Sequence, residues 1–349
     1  MKRFPTSLLL QGLVVIAFVC KTTNARLALR NTSSINAHIR QNNTTTAIPS
    51  ITIGRDVYGR DVNLPLIGAG TWQYNDTIAY QSVCRALQAG YTMIDTAWGY
   101  YNQIGVGLAI RDCWHGRPRE DLFVLTKVPG GLSPNQTIDM QYQNLWELQL
   151  DYVDHLMTHF PSDWDHTVTG KEQRQAEWRA LEQLYREGKT RSIGVSHYCP
   201  QHIDDILEIA TVRPTLNQVE YHIGSQDVDH VMEKCTQEGI YFMSFSPLCG
   251  PCHYDPKDSL IHGELVQEIA SHYPNKTGSQ VSLRFIVQQA LEEEEGSSNK
   301  IAGVIPKSNN PQHIASNRNI FDFELSADDM KRLKAATQPS PEAGDCDVP

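Results

Sequence analysis

The chain has 349 residues, of which 40% are hydrophobic, so it is long and apolar enough to bury a sizeable core. Its formal net charge of −10 at pH 7 disfavours a nucleic-acid binder, because such proteins usually present a basic face. The length also suits a single α/β barrel, which takes about 250 residues or more.

The first segment has the pattern of a secretory signal peptide. Lys2 and Arg3 precede an apolar stretch, Leu8–Cys20, and small or polar residues follow as far as Ala25. The stretch is shorter than the ~20 residues that span a bilayer, so a cleaved leader is favoured over an anchor. We predict a leader at residues 1–25, no stable membrane span after its removal, and delivery to the endoplasmic reticulum lumen or the cell exterior.

Two further features support passage through the secretory pathway. Residues 26–48 are rich in Asn, Thr and Ser, which predicts a disordered polar linker. Asn-x-Ser/Thr sequons, which predict a glycoprotein, occur at Asn31, Asn42, Asn43, Asn75, Asn135 and Asn275.

The cysteines fit an oxidising compartment only in part. Without Cys20 of the leader, seven of the eight cysteines remain, so at least one stays free or pairs with another chain. Cys84 and Cys235 lie on the apolar stripes of predicted helices. We therefore expect both to be unpaired packing residues.

From about Thr52 the sequence alternates short apolar runs with amphipathic stretches, the pattern of repeated β/α units. The fold class predicted is α/β: a (β/α)8 TIM barrel over residues 49–337, followed by a flexible tail at 338–349. A short β-hairpin, Ile51–Ile53 with Val62–Pro65, is expected to plug the bottom of the barrel. The eight predicted strands are Leu66–Gly70, Thr92–Asp95, Leu122–Thr126, Asp154–Thr158, Arg191–Gly194, Thr215–Val219, Tyr241–Ser244 and Gly303–Ile305.

Four polar residues lie at or just beyond the carboxyl ends of these strands, where barrel enzymes carry their chemistry. They are Asp95, Tyr100, Lys127 and His159. Singly, each has a structural explanation: a helix cap, rim packing, a solvated lysine, a core histidine. Their convergence on one face of one barrel favours a site.

These four side chains suit proton donation to a carbonyl oxygen. A tyrosine has an ordinary pKa near ~10. We expect the Lys127 ammonium to lower the pKa of Tyr100, and Asp95 to keep Lys127 protonated. His159 would orient a carbonyl towards the tyrosine.

Nine motifs follow one another from Thr52 to Ala336, nearly the whole chain after the linker. They are LPLIGAGTW (64–72), GYTMIDTAWGYYNQIGVG (90–107), LTKV (125–128), LDYVDHLMTHFP (150–161), RSIGVSHY (191–198), LNQVEYH (216–222), SFSPL (244–248), VIPKSNNPQHIASN (304–317) and FDFELS (321–326). Together they resemble the aldo-keto reductase family.

The resemblance implies an oxidoreductase of the alcohol dehydrogenase (NADP+) type, a monomer that reduces aldehydes or ketones with NADPH and uses no metal. Tyr100 would be the acid and base, tuned by Lys127 and Asp95, with His159 positioning the substrate. Trp72 and Phe160 would be apolar walls of the substrate pocket. By matched position, the residues implied to bind cofactor are Ser196, His197, Gln218, Phe245, Ser246, Leu248, Lys307, Ser308, His313 and Asn317.

Three departures from the family pattern concern the cofactor. His197 replaces the usual Asn of the carboxamide site, and Phe245 replaces the common Tyr of the ring-stacking site. His313 stands where many members carry Arg near the 2′-phosphate, and a histidine is only partly charged near neutrality. With Lys307 as the permanent cation, we expect a preference for NADPH, with NADH also possible. The segment after Ala336 is short, which predicts an open, broadly accepting pocket.

Cys249-Gly250-Pro251-Cys252 has the spacing of a thioredoxin-type pair, but it follows the seventh predicted strand rather than opening a thioredoxin helix. A structural disulfide or two idle thiols are favoured over thiol catalysis. Two alternatives to a simple reductase stay open. The chain could be a non-catalytic cofactor-binding or sensor homologue, or a reductase regulated by the redox state of Cys249 and Cys252.

Overall fold

The computed structural model describes residues 47–249, 260–291, 300–339 and 345–349. The predicted signal peptide, nearly all of the polar linker and the sequons at Asn31, Asn42 and Asn43 lie outside the described residues. So does Cys252.

The barrel wall consists of eight strands in one parallel sheet, each paired with its neighbour in chain order. A parallel bridge between Ile67 and Val304 connects the start of the sheet to its last strand. The (β/α)8 barrel is thus confirmed, with strand ends that shift by a few residues from the predicted ones. The strands are β3 (Ala69–Gly70), β4 (Met93–Asp95), β5 (Phe123–Val128), β6 (His155–Thr158), β7 (Ile193–Ser196), β8 (Leu216–Glu220), β9 (Tyr241–Phe245) and β10 (Ile301–Val304).

The predicted hairpin is also present. Strand β1 (Ser50–Arg55) pairs antiparallel with β2 (Asp61–Pro65). Three of its apolar side chains, Ile53, Val62 and Leu64, are buried in one cluster with residues from the barrel interior. That cluster includes residues at the start of barrel strands, among them Met93, Phe123 and Leu216, so the hairpin closes the bottom of the barrel.

The helices pack outside this wall and bury their apolar stripes against it. Two of them have clear start signals: Pro200 is the first residue of α5, and Ser326 Oγ accepts a hydrogen bond from Asp329 N at the start of α10. Within the described ranges, no helix is long and apolar enough to cross a membrane. The helices are α1 (Asp76–Gln88), α2 (Gln103–Cys113), α3 (Pro134–Leu148), α4 (Lys171–Arg186), α5 (Pro200–Leu207), α6 (Val231–Gln237), α7 (Glu264–Ser271), α8 (Gly278–Leu291), α9 (Pro311–Arg318) and α10 (Ala327–Lys334).

Of the two cysteines predicted to be unpaired, one is paired and the other is free. Cys84 forms a disulfide with Cys113, which joins α1 to α2, so the prediction of an unpaired Cys84 is wrong. A position on an apolar stripe indicates burial, but it does not show that a neighbouring helix brings a second cysteine to the same place. Cys235 is buried and free, as predicted. Burial raises the pKa of its thiol to about 12, which makes it inert at neutral pH.

Two more cysteines bear on the predicted tail and thiol pair. Cys199 forms a disulfide with Cys346, so residues 345–349 are attached to the barrel and not free as the sequence predicts. The pattern of Pro and Gly near residue 340 gives no sign of this long-range bond. Cys249 is also disulfide-bonded, so of the two favoured alternatives, a structural disulfide or idle thiols, the structure agrees with the first; its partner lies outside the described residues.

Glu177 on α4 makes the stability of the protein depend on pH. Its side chain is 1% exposed, and Leu132 N and Gln173 Nε2 donate to its Oε1. Burial raises its pKa to about 8 from an ordinary 4.5. Between these two values the folded state holds a proton that the unfolded state releases. The free energy of unfolding should therefore fall as pH rises through this window, by up to about 1.4 kcal/mol per pH unit.

The variant Glu177→Gln removes this titration and keeps the carbonyl acceptor. We expect urea unfolding at several pH values between 5 and 8 to show a smaller pH dependence for the variant. Equal slopes for the two proteins would show that Glu177 is ionised in the folded state.

Candidate active site

The four predicted catalytic residues meet at the carboxyl ends of adjacent strands. Lys127 Nζ lies 2.8 Å from Asp95 Oδ2 and 3.1 Å from the hydroxyl of Tyr100. The ring of Tyr100 is edge-on to that of His159, with 5.5 Å between the ring centroids. The structure thus brings together all four residues predicted from the strand ends.

Lys127 and Asp95 form a buried ion pair. Their side chains are 0% and 1% exposed. Burial would lower the pKa of Lys127, but the charge of Asp95 and the contact with Tyr100 outweigh it and raise that pKa. Gln218 Nε2 donates a second hydrogen bond to Asp95 Oδ2 at 2.9 Å. The lysine is therefore held as a cation against the phenol.

The pKa of Tyr100 is shifted in the direction opposite to the predicted one. Burial raises the pKa of its phenol above the ordinary value; Lys127 opposes that rise and Asp95 adds to it. The sequence predicts a lowered pKa, and the difference comes from burial, which the strand-end pattern does not reveal. The phenol is consequently a protonated donor at neutral pH, with an ammonium placed to stabilise the phenolate once the proton leaves.

His159 follows β6 directly and faces the same space. Burial, first, and then the charges of Lys127 and His197 hold its pKa well below the usual range. A neutral imidazole at this point can donate one hydrogen bond to a carbonyl oxygen without taking the proton that Tyr100 supplies.

Local structure fixes the position of Tyr100. It ends a short 3-10 turn, Trp98–Tyr100, and Tyr101 then adopts a left-handed conformation at φ 54°. Asn102, which is 1% exposed, donates from Nδ2 to Thr71 O at 2.8 Å and to Tyr74 O at 2.9 Å. Asn102 is a positioning residue that the sequence analysis missed. Its only sequence signal is an Asn just ahead of a helix.

Three of the predicted cofactor residues lie in the carboxyl-terminal parts of β7, β8 and β9. Ser196 Oγ donates to Gln218 O at 2.8 Å. Gln218 Nε2 donates a hydrogen bond to Asp95, so the amide oxygen of Gln218 is the atom that would contact a ligand. Phe245, the last residue of β9, is half-buried and offers an aromatic face beside them.

His197 has a place that its sequence position does not show. It adopts a left-handed conformation at φ 60°, with its N–H donating to Gln218 O at 3.0 Å. Its ring lies 4.5 Å from that of Phe160 and 4.8 Å from that of Phe245. The histidine therefore bridges the predicted substrate wall and the predicted cofactor face.

The remaining predicted cofactor residues follow β9 and β10. Lys307 is exposed, and its Nζ donates to Gln73 Oε1 at 2.8 Å. The carbonyl oxygen of Ser308 accepts a hydrogen bond from Ser82 Oγ at 2.8 Å. On α9, His313 is exposed and Asn317 is buried. Ser246 (φ 47°) and Leu248 follow Phe245 in the loop after β9.

Aromatic rings border the opposite side of the catalytic group. Phe160 stacks on His159 with 4.5 Å between ring centroids. Trp164, which the sequence analysis missed, packs edge-on against Phe160 at 5.7 Å. Trp72 is 45% exposed, with Lys307 Nζ 5.9 Å from its ring. The catalytic group thus has apolar rings on one side and polar side chains on the other.

This arrangement of barrel, hairpin and strand-end residues agrees with sequence comparison. The profile of the Aldo/keto reductase family matches residues 66–338. The chain belongs to the aldo/keto reductase family.

Individual relatives agree with this family assignment. It is 35% identical to a glyoxal reductase of Bacillus subtilis over 276 residues, which are 78% of this chain and 89% of the relative. It is 31% identical to aldo-keto reductase family 1 member A1 of Sus scrofa, over 78% of this chain and 86% of that one. A crystal structure of an aldo-keto reductase from a Medee basin deep-sea metagenome library superimposes with a TM-score of 0.70 at 32% identity. That superposition covers 80% of this chain and 94% of the other. The chain is thus an oxidoreductase of a family that acts on small carbonyl compounds.

Proposed function

We propose that this reductase converts aldehydes or ketones to alcohols with NADP(H), using Tyr100 as proton donor. The observation that carries the proposal is the contact of Lys127 Nζ with both Asp95 Oδ2, at 2.8 Å, and the Tyr100 hydroxyl, at 3.1 Å. A buried cation that contacts both a carboxylate and a half-buried phenol at the barrel mouth is the arrangement expected where a phenol has to give up its proton.

The steps that the protein performs follow from this geometry. His159 donates a hydrogen bond to the carbonyl oxygen and aligns it with Tyr100. When bound, the nicotinamide supplies hydride to the carbonyl carbon. Tyr100 gives its proton to the oxygen as negative charge develops there, and the product is an alcohol. The Lys127 ammonium, held by Asp95, stabilises the tyrosinate until solvent returns the proton.

The residues at the ends of β7 to β10 fit an extended dinucleotide. Phe245 offers a face for the nicotinamide ring, and Gln218 and Ser196 offer amide and hydroxyl groups for its carboxamide. Ser246 and Leu248 follow in the direction of the phosphates. At the far end, Lys307 is bonded to a neutral glutamine and leaves its charge available to a phosphate. Ser308 lies just before α9, and His313 and Asn317 lie on it, where the adenosine would bind.

The test of the proposal is turnover by the mature protein. NADPH and a panel of aldehydes and ketones, including glyoxal, are supplied, and NADPH loss is followed together with the NADPH dissociation constant. We expect loss of NADPH with several aldehydes. Binding of NADPH without turnover of any carbonyl would instead identify a cofactor-binding homologue.

Cofactor choice provides a second prediction. Lys307 is a permanent cation for the 2′-phosphate, whereas position 313 lacks the permanently charged guanidinium of an arginine. We expect kcat/KM to favour NADPH over NADH by less in the wild type than in the variant His313→Arg. Steady-state kinetics with both cofactors measure the ratio, and a wild type that prefers NADH would contradict it.

We also propose that the protein enters the secretory pathway. Two disulfides in the described part of the chain support an oxidising compartment, as does the bonded state of Cys249. The sequon residues Asn75, Asn135 and Asn275 are all exposed and therefore accessible to a glycosyltransferase.

Expression in cells with a secretory pathway tests this proposal. We expect peptide N-glycosidase to increase the electrophoretic mobility of the wild type. The triple variant Asn75→Gln/Asn135→Gln/Asn275→Gln should lose the part of that shift due to these sites. Unshifted wild type in the cytosol would contradict it.

A further inference from the structure

Two of the aromatic residues beside the catalytic group, Phe160 and Trp164, belong to one loop. We call residues 159–170, which connect β6 to α4, the substrate loop. His159 opens it, Phe160 stacks on His159, and Trp164 packs edge-on against Phe160. Trp164 is 81% exposed, so a large apolar side chain is presented to solvent next to the active site. An apolar or aromatic part of a substrate would cover it favourably.

The substrate loop is folded upon itself. Ser162 Oγ lies 2.7 Å from His166 Nδ1. Asp163 accepts hydrogen bonds from Thr167 Oγ1 at 2.7 Å and from Val168 N at 2.8 Å. A loop with these internal bonds is expected to move as a unit, so its attachments to the rest of the protein determine its position.

Arg174, in the first turn of α4, is one attachment. Its side chain is 2% exposed and pairs with Asp205 of α5, with 2.6 Å from Nη2 to Oδ2. Nη1 donates to Pro161 O and to Thr169 Oγ1, both at 3.3 Å, and to Pro349 O at 2.7 Å. One buried guanidinium therefore binds both ends of the substrate loop, α5, and the segment at residues 345–349.

That segment, which we call the brace, is the second attachment. Cys346 is bonded to Cys199 through the disulfide, and its carbonyl accepts Gln201 Nε2 at 2.6 Å. His202 Nδ1 accepts a hydrogen bond from Cys199 N. The ring hydrogen of a neutral His202 is therefore on Nε2, which donates to Val348 O at 2.7 Å.

At its other end the brace reaches the substrate loop itself. Thr169 Oγ1 donates to Pro349 O at 2.9 Å, beside the contact from Arg174. Val348, between the two ends, is 7% exposed. The brace thus connects the N-terminus of α5, just after His197, to the C-terminal end of the substrate loop.

We propose that the brace, fixed by the Cys199–Cys346 disulfide, and Arg174 position the substrate loop so that Phe160 and Trp164 form a preformed wall for an apolar or aromatic carbonyl substrate. The substrate part of this statement rests on the proposed reductase function. Because 147 residues separate the two cysteines, their bond ties together parts of the chain that are distant in sequence. Without it, the brace is held by hydrogen bonds and by Val348 alone.

The first test compares substrates of two sizes in the variant Cys199→Ser/Cys346→Ser. We expect the KM for naphthaldehyde, which is large enough to reach Trp164, to rise about tenfold, because a small displacement of positioning groups is costly. The KM for propanal, the kcat values and the NADPH dissociation constant should stay within about twofold of wild type. Trp164→Ala should reproduce the selective effect on naphthaldehyde.

The chain offers a matched control in Cys84→Ser/Cys113→Ser, which removes the disulfide between α1 and α2, away from the substrate loop. We expect this variant to keep the wild-type ratio of the two KM values even if its melting temperature falls. An equal change in the ratio for both disulfide variants, or no change in either, would overturn the proposal.

Arg174→Lys provides a second route that leaves both disulfides intact. A lysine can keep the ion pair with Asp205 but lacks the planar fork that reaches Pro161, Thr169 and Pro349 together. We expect the naphthaldehyde KM to rise as in the Cys199→Ser/Cys346→Ser variant. A wild-type KM in Arg174→Lys would show that the guanidinium does not position the loop.

Amide hydrogen exchange tests the proposal about the brace independently of the proposed reductase function. We expect amide exchange in residues 159–170 to accelerate in Cys199→Ser/Cys346→Ser and not in the control variant. Unchanged exchange would overturn the brace even if the protein is an active reductase. Accelerated exchange in a protein that turns over no carbonyl would uphold the brace while the proposed function fails.

Discussion

Replacing Tyr100 with phenylalanine should lower kcat for aldehyde reduction by about 10³-fold, because general-acid catalysis contributes about 10² to 10⁴. The variant keeps the ring that faces His159 at 5.5 Å and loses only the hydroxyl, which accepts a hydrogen bond from Lys127 at 3.1 Å. Steady-state kinetics on wild type and variant measure the loss.

Two further measurements make this result specific. The NADPH dissociation constant should change little, since Phe245, Gln218 and Ser196 are untouched. His159→Gln provides the comparison, because it removes a group that orients the carbonyl and leaves the proton donor in place. If Tyr100→Phe keeps more than about a tenth of wild-type kcat, another group supplies the proton and the assignment fails.

Replacing Lys127 with methionine should destabilise the protein by about 3–5 kcal/mol, because it leaves Asp95 as a buried charge without its cation. The two side chains are 0% and 1% exposed, so water cannot take the place of the ammonium. Urea unfolding gives the loss of free energy of unfolding. Turnover should fall as well, since the tyrosinate loses the positive charge beside it.

The double variant Lys127→Met/Asp95→Asn separates these two effects. Its buried pair is neutral, and the amide introduced at position 95 would still accept a hydrogen bond from Gln218, so we expect most of the stability to return. Turnover should stay low, because the ammonium is still missing. A double variant as unstable as Lys127→Met, or as active as wild type, would contradict this account of the pair.

Much of the fold and the site can be predicted from the sequence. Strand and helix patterns repeat with regular punctuation, and in a parallel barrel all strand ends face the same way. Residues such as Asp95 and Lys127, on adjacent strands, therefore have to meet once the strands are identified. Their sequence positions predict that the two side chains lie close together, because the barrel topology fixes which strands are neighbours.

Other features depend on contacts that no local pattern contains. Cys84 pairs with Cys113 because α1 and α2 lie side by side. The brace at residues 345–349 depends on Cys199, 147 residues earlier in the chain than Cys346. The raised pKa of Tyr100 comes from how deeply its phenol is buried, which is a property of packing. Sequence patterns report periodicity and chemistry, whereas these features are decided by which elements become neighbours.

The proposed function concerns the transfer of hydrogen to a carbonyl, and the most direct measurement follows that hydrogen. NADPH carrying deuterium at both C4 positions is incubated with an accepted aldehyde and the wild-type protein, and the alcohol is examined by mass spectrometry. We expect one deuterium at the carbinol carbon with wild type, and an alcohol yield about 10³-fold lower with Tyr100→Phe. An alcohol without deuterium, or an equal yield from the variant, would contradict the proposed function.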